Sequence, residues 1–409
     1  MTEGPGGLRR PSVHVTAATT ASTVLIHLPV FLLGGLAVLI RDDLADFDEA
    51  RLGAAVSVFF GVSALASVLG GRLSEARGPR LGMIIAAGLS AGSLVALATA
   101  SSLTGIVAAS ALGGAANGVG QPASNLGLAR GIRRVRQGVA FGIKQASVPL
   151  ASLLVGFSVP LIGLTLGWRW TFAAGAALVV GVIVLIPRRF GPAPARPTTG
   201  VATDAPRRSL ALLAVGAGFG SAAANSLATF AVLTAVAYGL GAGTGGYLLA
   251  LGSAAGVSAR VVTGWRADRR GRAHLPVVAG MLVGGAFGYL LLAAGVLHPA
   301  VFAIGVVTAF ASGWGWPGLM AFAVVRLHPS SPGMASGIVL AGGTAGAVVG
   351  PLVFGLIARD ASFTAAWLLA AALSAVGAAL VWFGRRTVSA AVTDGRMQAP
   401  PGAVVQPRS

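Results

Sequence analysis

The chain has 409 residues, 55% of them hydrophobic and 10% charged, with a net charge of +18 at pH 7 and no cysteine. Water-soluble domains carry about 25% charged residues, so this composition excludes a globular protein in water and points to one embedded in lipid. Disulfide and thiolate chemistry are excluded with the cysteines. The basic residues are scattered between apolar stretches, so the charge is no nucleic-acid surface.

Taken in chain order, runs of about 20 apolar residues, the length that crosses a bilayer core, fall near 17–40, 51–71, 80–100, 103–129, 137–161 and 169–187. A second set falls near 209–238, 244–265, 274–296, 299–325, 332–357 and 363–384. The first run is too long for the apolar core of a cleaved signal and lacks a small-residue cleavage site. Between the sets lies a stretch rich in Pro, Thr and Arg, which reads as a tether. The pattern predicts an all-α integral membrane protein with 12 transmembrane helices in two pseudo-symmetric six-helix bundles. The expected division is residues 1–187 for the first bundle, 188–208 for a cytoplasmic linker, 209–386 for the second bundle and 387–409 for a disordered cytoplasmic tail.

Arginine placement gives the expected orientation. With both termini cytoplasmic, the outer segments hold only Arg41, Arg51, Arg169 and Arg359, while the inner segments hold nearly all the rest. Arg260 falls near the inner end of the eighth span. The first outer loop carries Asp42, Asp43, Asp46, Asp48 and Glu49, which agrees in sign. The expected location is therefore the inner (plasma) membrane, multi-pass, with the bilayer and a small-molecule substrate as partners, no nucleic acid, and a monomer.

Two short segments recur in each half. GRLSEARGPR begins at Gly71 after the second span, and GWRADRRGR begins at Gly264 after the eighth. NGVGQP (Asn117 to Pro122) lies in the fourth span and SGWGWP (Ser312 to Pro317) in the tenth. Ordered matches at a near-constant offset imply a duplicated six-helix unit. The run from Gly264 to Arg272 resembles the signature loop of the major facilitator superfamily (MFS), and Gly167-Trp168-Arg169-Trp170-Thr171-Phe172 is another run typical of that family. The first copy departs from the pattern, with Glu75 in place of Asp and Pro79 where a base is common.

The resemblance implies a transporter working by alternating access around a central site. It also implies a conformational latch in the outward-facing state, built from Gly71, Glu75, Gly78 and Arg80 in one loop and Gly264, Asp268, Arg269, Gly271 and Arg272 in the other. Gly71 and Gly264 are expected where helices approach closely. Each carboxylate follows a helix C-terminus, where it is unfavourable without a partner. The plainer alternative is a solvated turn whose charges serve topology alone.

Lys144 is the only lysine among 29 basic residues, and it lies about two turns into the fifth span. A cation inside a bilayer is costly and marks a functional site by default. Its helix face carries Ala140, Ser147 and Ala151, small enough for a cavity or another helix. Lys144 either binds an anionic group or snorkels to the cytoplasmic surface as an anchor. Gln145 is rotated about 100° from it, while Gln121 and Asn125 in the fourth span are expected at its depth. A lysine with one or two amides suits a carboxylate or a similar anion, and interhelical hydrogen bonding is the alternative. His27, mid-way along the first span, relays a proton, binds substrate or packs. Asn225, Trp314 and Trp316 are weaker candidates. Pro149, Pro160, Pro317 and Pro351 are placed to kink helices.

Absences narrow the chemistry. No acid falls inside a predicted span, which argues against a carboxylate proton relay. The family's proton-coupled exporters often carry an arginine in the fourth span, where this chain has Gly114. The lone lysine is followed by Gln145, so there is no phosphate-binding Gly-Lys-Ser/Thr. The five histidines are dispersed. No catalytic site, metal or cofactor is expected, and the chain reads as a non-enzyme. The predicted function is secondary or facilitative transport of a small organic or inorganic anion paired with Lys144. Efflux of hydrophobic or neutral compounds is the alternative within transport, and a non-transporting sensor of the same fold is the alternative outside it.

Overall fold

The computed structural model describes residues 9–132, 134–190, 205–270, 274–328 and 331–393. Most of the expected linker, Gly271 and Arg272 of the second signature loop, and the tail beyond Thr393 lie outside these residues. Among the described residues, twelve helices are long and apolar enough to cross a membrane. They are α1 (Val13–Gly35), α2 (Glu49–Arg77), α3 (Pro79–Ala98), α4 (Leu103–Gly131), α5 (Gly142–Leu166) and α6 (Trp168–Leu185). The second half supplies α7 (Arg207–Ala237), α8 (Ala242–Arg266), α9 (Leu275–Ala294), α10 (Pro299–Leu327), α11 (Pro332–Asp360) and α12 (Phe363–Ala391). Among the described residues there is no strand. The last helix continues to Thr393, past the expected bundle end at 386.

Three packing pairs recur in the two halves: α1 on α5 and α7 on α11, α2 on α4 and α8 on α10, α3 on α6 and α9 on α12. The duplication read from the sequence is therefore a duplication of packing. Two prolines mark breaks in regularity. Pro160 lies in a π turn at Val159–Gly163 within α5, and Pro317 restarts α10 after a π turn at Ala309–Gly313. A missing N–H and a ring clash make such a break local to proline. Pro149 and Pro351 lie within continuous helices.

The halves meet along α2 with α11, α5 with α8 and α1 with α7. At the end bearing the acidic loop, glycines let backbones touch. A Cβ on Gly246 would lie 2.7 Å from the Gly156 carbonyl oxygen, and one on Gly34 would lie 2.7 Å from that of Thr229. Ser57 Oγ donates to the Val348 carbonyl across the same seam at 2.5 Å. One apolar core crosses both halves here, with Phe31, Phe59 and Val155 of the first joined by Phe230, Phe310 and Phe354 of the second.

At the Arg-rich end the seam opens. Among the described residues, Gly71 on α2, Gly142 on α5, Gly264 on α8 and Gly333 and Gly337 on α11 have nothing within 4 Å of a would-be Cβ. Among the described residues the expected close approach at Gly71 and Gly264 is not made in this conformation. The two bundles form a V, closed at the acidic face and open at the Arg-rich face.

Both glycine-led runs are explained locally. Gly78 has φ +89° and Gly167 φ +97°, a left-handed region that favours glycine. Each ends one helix and lets the next start at once, with Pro79 opening α3 at a position that needs no N–H. Trp168 Nε1 and Arg169 then donate to the Asp43 carboxylate at 2.9 and 2.5 Å. The Trp168 indole and then the Arg169 guanidinium hold that carboxyl below its usual range. This staple ties the acidic loop to α6. Glu75 and Arg80 are exposed, and no ion pair of Glu75 is formed among the described residues.

Candidate functional site

The fourth and fifth spans converge on Lys144. Gln121 and Asn125 are four residues apart on α4, hence on one face. Lys144 Nζ donates to Gln121 Oε1 at 2.5 Å and to Asn125 Oδ1 at 2.8 Å. An ammonium only donates, so both amides turn their oxygens to it and their NH2 groups away. Lys144 is 1% exposed. It does not snorkel to a surface, and it has no carboxylate partner among the described residues. Neutral amides solvate a cation without cancelling its charge, and burying a bare ion costs several kcal/mol.

The small face beside Lys144 is a packing face at Ser147 and Ala151, while Ala140 also borders an apolar cavity. Ala140 packs with Val15, Leu128 and Ile132, Ala151 lies in the main core, and Ser147 is fully buried with its hydroxyl donating to the Lys144 carbonyl. Small residues here let α5 lie close against α1.

Arg260 is the residue that sequence reasoning missed. Assigned to the inner end of α8 for topology, it is 7% exposed. Its Nε and Nη2 donate to the Trp314 carbonyl at 3.2 and 2.7 Å, and its Nη1 crosses the seam to the Gln145 carbonyl at 2.5 Å. The signal that could have found it is modest: an arginine in an apolar run, more than one turn ahead of Arg266. The acceptor exists because α10 is broken. Trp314 bonds back to Ala309 in the π turn, and Pro317 and the restart after it leave the Trp314 carbonyl outside the helical ladder, as at the interrupted helices of membrane ion sites. The second repeated pair thus serves both cations. NGVGQP brings Gln121 to Lys144, and SGWGWP brings Trp314 to Arg260.

Gln145 takes part through its backbone carbonyl, and its side-chain amide does not join Lys144. His27 is 5% exposed, and its Nδ1 lies 2.7 Å from the Thr23 carbonyl, an acceptor, so that nitrogen carries the hydrogen. The ring stacks on Phe31 at 5.7 Å, Phe31 meets the edge of Trp314 at 5.6 Å, and the charges of Lys144 and Arg260 both act on the imidazole. His27, Lys144, Arg260 and Trp314 therefore form one neighbourhood. Asn225 does not join it, since its amide donates to the Ser221 carbonyl of its own helix at 2.9 Å. Trp316 bonds the Gly313 carbonyl at 2.9 Å and packs in a separate apolar core.

Gly114 has a packing reason to be glycine. A Cβ there would collide with the Phe59 backbone carbonyl, so α4 lies against α2 where exporters of the family place an arginine. The neighbouring Asn117 donates to Ser63 Oγ at 2.9 Å. Apart from the cationic site, a cavity of about 1020 Å³ opens between α1, α5 and α6, lined by apolar groups such as Leu25, Leu28, Leu150 and Val182. The side chains of Asp268 and Arg269 are not described, and the second signature loop is left at Gly264.

Comparison with known proteins bears on the whole arrangement. No curated protein matches the chain. Among solved structures, the D-xylose-proton symporter superposes with a TM-score of 0.74 at 15% identity, covering 90% of this chain and 97% of that one. A bacterial homolog of the human lysosomal transporter Spinster, in an inward-facing and occupied conformation, gives 0.71 at 15% identity over 93% and 98%. The human organic anion transporter MFSD10 gives 0.65 at 17% identity over 91% and 100%. At such identities the likeness is one of fold. The sequence model described as Major Facilitator Superfamily matches residues 19–296 and again 210–406. The chain belongs to the major facilitator superfamily, and it is a multi-pass membrane transporter.

Proposed function

We propose that this transporter carries a small anion by alternating access, with Lys144 as the charge partner. The observation that carries the reading is a buried ammonium held by two neutral amides, with no carboxylate partner among the described residues. A cation or neutral solute gains nothing from that charge, whereas an anion removes the cost of keeping it buried. Gln121 and Asn125 orient the ammonium through their side-chain oxygens. The open end faces the Arg-rich loops, which the arginine bias assigns to the cytoplasm. The resting form is thus inward-facing, with both termini cytoplasmic in a plasma membrane, and the signature loops close the inner side in the opposite state. The names of the structural relatives include a sugar symporter and an organic anion transporter, so the fold admits an anion without choosing it.

The apolar cavity between α1, α5 and α6 favours a second reading, efflux of hydrophobic compounds. The deciding measurement is thermal stabilisation of the purified protein by anionic, cationic and neutral solutes, beside Lys144→Ala. A ligand of the folded state raises the melting temperature. Stabilisation by anions that is lost in Lys144→Ala upholds the proposal. Equal stabilisation of both forms by neutral or cationic hydrophobes replaces it with efflux.

A further inference from the structure

The cavity of about 1020 Å³ between α1, α5 and α6 shares no lining residue with the cationic site. It is elongated. Val13, Ala17, Thr20, Val24 and Leu28 line it at intervals of three or four residues, a continuous stripe along α1. The stripe covers about 22 Å of helix, whereas the hydrocarbon of one leaflet is about 15 Å deep. α6 packs on α5 through the π turn at Val159–Gly163, near the acidic face. Toward the Arg-rich face the two helices part, and α1 forms the floor between them. The rim carries Ile143 of α5 and Leu178 and Leu185 of α6, all exposed. Exposed apolar side chains on membrane-spanning helices meet lipid, so the cleft opens sideways onto acyl chains.

The Arg-rich end of the cleft is basic. Arg9 and Arg10 stand one turn ahead of Val13 in the same helix. Arg188 and Arg189 follow Leu185 and are exposed, and the adjoining Phe190 packs on the cluster that holds Ile132 and Ala140 of the wall. Arg130, just ahead of Ile132, has a buried Nε with no hydrogen-bond partner among the described residues. We infer that the cleft is a site for an anionic phospholipid, with an acyl chain along α1 and the phosphate among Arg130, Arg188 and Arg189. An apolar wall left bare forfeits contacts on one side, and the chain restores them. A guanidinium grips a phosphate by paired hydrogen bonds, and basic pockets between membrane-spanning helices recognise anionic head groups. An uncharged hydrophobe fills the wall and leaves the arginines unmatched. Thr20 Oγ1, in the wall and without a partner among the described residues, is a donor for an ester carbonyl. The lipid then props α5 and α6 apart at this end. The inference stands apart from the anion reading, since the two sites share no residue.

The test titrates the delipidated full-length protein in mild detergent with phosphatidylglycerol and phosphatidylcholine of identical chains, read by native mass spectrometry. Phosphatidylglycerol is expected to bind the native protein about tenfold or more tighter, as one charged hydrogen bond provides. Arg188→Gln combined with Arg189→Gln brings it to the level of phosphatidylcholine, whose own binding is unchanged. Ala17→Trp and Gly181→Trp place a ring in the cleft from α1 and from α6, and each weakens both lipids. A Cβ on Gly181 meets nothing within 4 Å, so that variant keeps its fold; Gly88→Trp on α3, equally open at Cβ and outside the cleft, is the control. Equal binding of the two lipids by the native protein overturns the inference. Tryptophan variants that bind both lipids as the control does also overturn it, because the lipid is then a general annulus. Tighter binding of the neutral probe N-phenylnaphthylamine than of phosphatidylglycerol, lost in the tryptophan variants, gives the cleft to hydrophobic cargo and overturns it too. Lys144→Ala leaves every one of these affinities unchanged, so failure here does not touch the anion reading.

Discussion

The V-shaped arrangement rests on a seal of bare backbone, and a single methyl-bearing side chain tests it. A Cβ on Gly246 would lie 2.7 Å from the Gly156 oxygen and 2.9 Å from Pro160 Cδ and Val159 Cβ. Relaxed carbon contacts need about 3.5–4.0 Å, so in Gly246→Val α5 and α8 must move apart by about 1 Å at the acidic face. Backbone atoms and a proline ring cannot rotate away. Such overpacking costs about 1–3 kcal/mol. The cost falls only on the conformation closed at this end, since a state open there separates the two glycines. The population therefore shifts toward the opposite state by about 5- to 150-fold. The native chain has no cysteine, so Ser57→Cys gives one thiol, at a position 8% exposed and bonded across the seam to Val348. Its labelling by a membrane-impermeant maleimide is expected to speed up in the Gly246→Val background. Gly181→Val, where a Cβ meets nothing within 4 Å, is the control and leaves the rate alone. An unchanged labelling rate together with a fall in melting temperature of the full predicted size would refute a movable seal, because the strain would then reside in the fold and not in one state of it.

The Asp43 staple makes a pH prediction. The folded-state carboxyl is held below its ordinary value by Trp168 and Arg169, so its contribution is present above the unfolded value near 4 and is lost as pH falls through the folded one. Melting temperature of the native protein is expected to drop on acidification below about pH 4 more steeply than that of Asp43→Asn; parallel curves would remove the staple from the account. Two glycines of the first signature loop are expected to respond oppositely to alanine. Gly78→Ala, at φ +89°, loses about 1–3 kcal/mol. Gly71→Ala, inside α2 with open space around it, gains about 0.5–1 kcal/mol. Chemical denaturation of both variants checks the pair, and equal signs would contradict the backbone argument.

Much of the architecture was legible in the chain because lipid imposes it. Twelve apolar runs became twelve helices, as an apolar medium forces each backbone to satisfy itself. Lys144 stood out because a lone lysine in a span has few explanations, and its partners Gln121 and Asn125 were legible as one helical face on the antiparallel neighbour. Arg260 was not. From the sequence it resembled the loop arginines around it, and only the packing of α8 on α5 buries it and aims it across the seam. The small residues beside Lys144 were equally ambiguous, since alanine and serine suit a cavity as well as a close helix, and the packing made Ser147 and Ala151 close contacts while leaving Ala140 at the edge of an apolar cavity. Asn225 looked like Gln121 in sequence, but its amide donates to the Ser221 carbonyl one turn back on its own helix. The sequence by itself determined what must be in the bilayer and how many times it crosses, because hydropathy and helical period are local properties. Which polar groups meet was decided only by the tertiary structure, because the azimuth of each helix and the point where two bundles part depend on residues more than a hundred positions apart, as with Gln145 and Arg260.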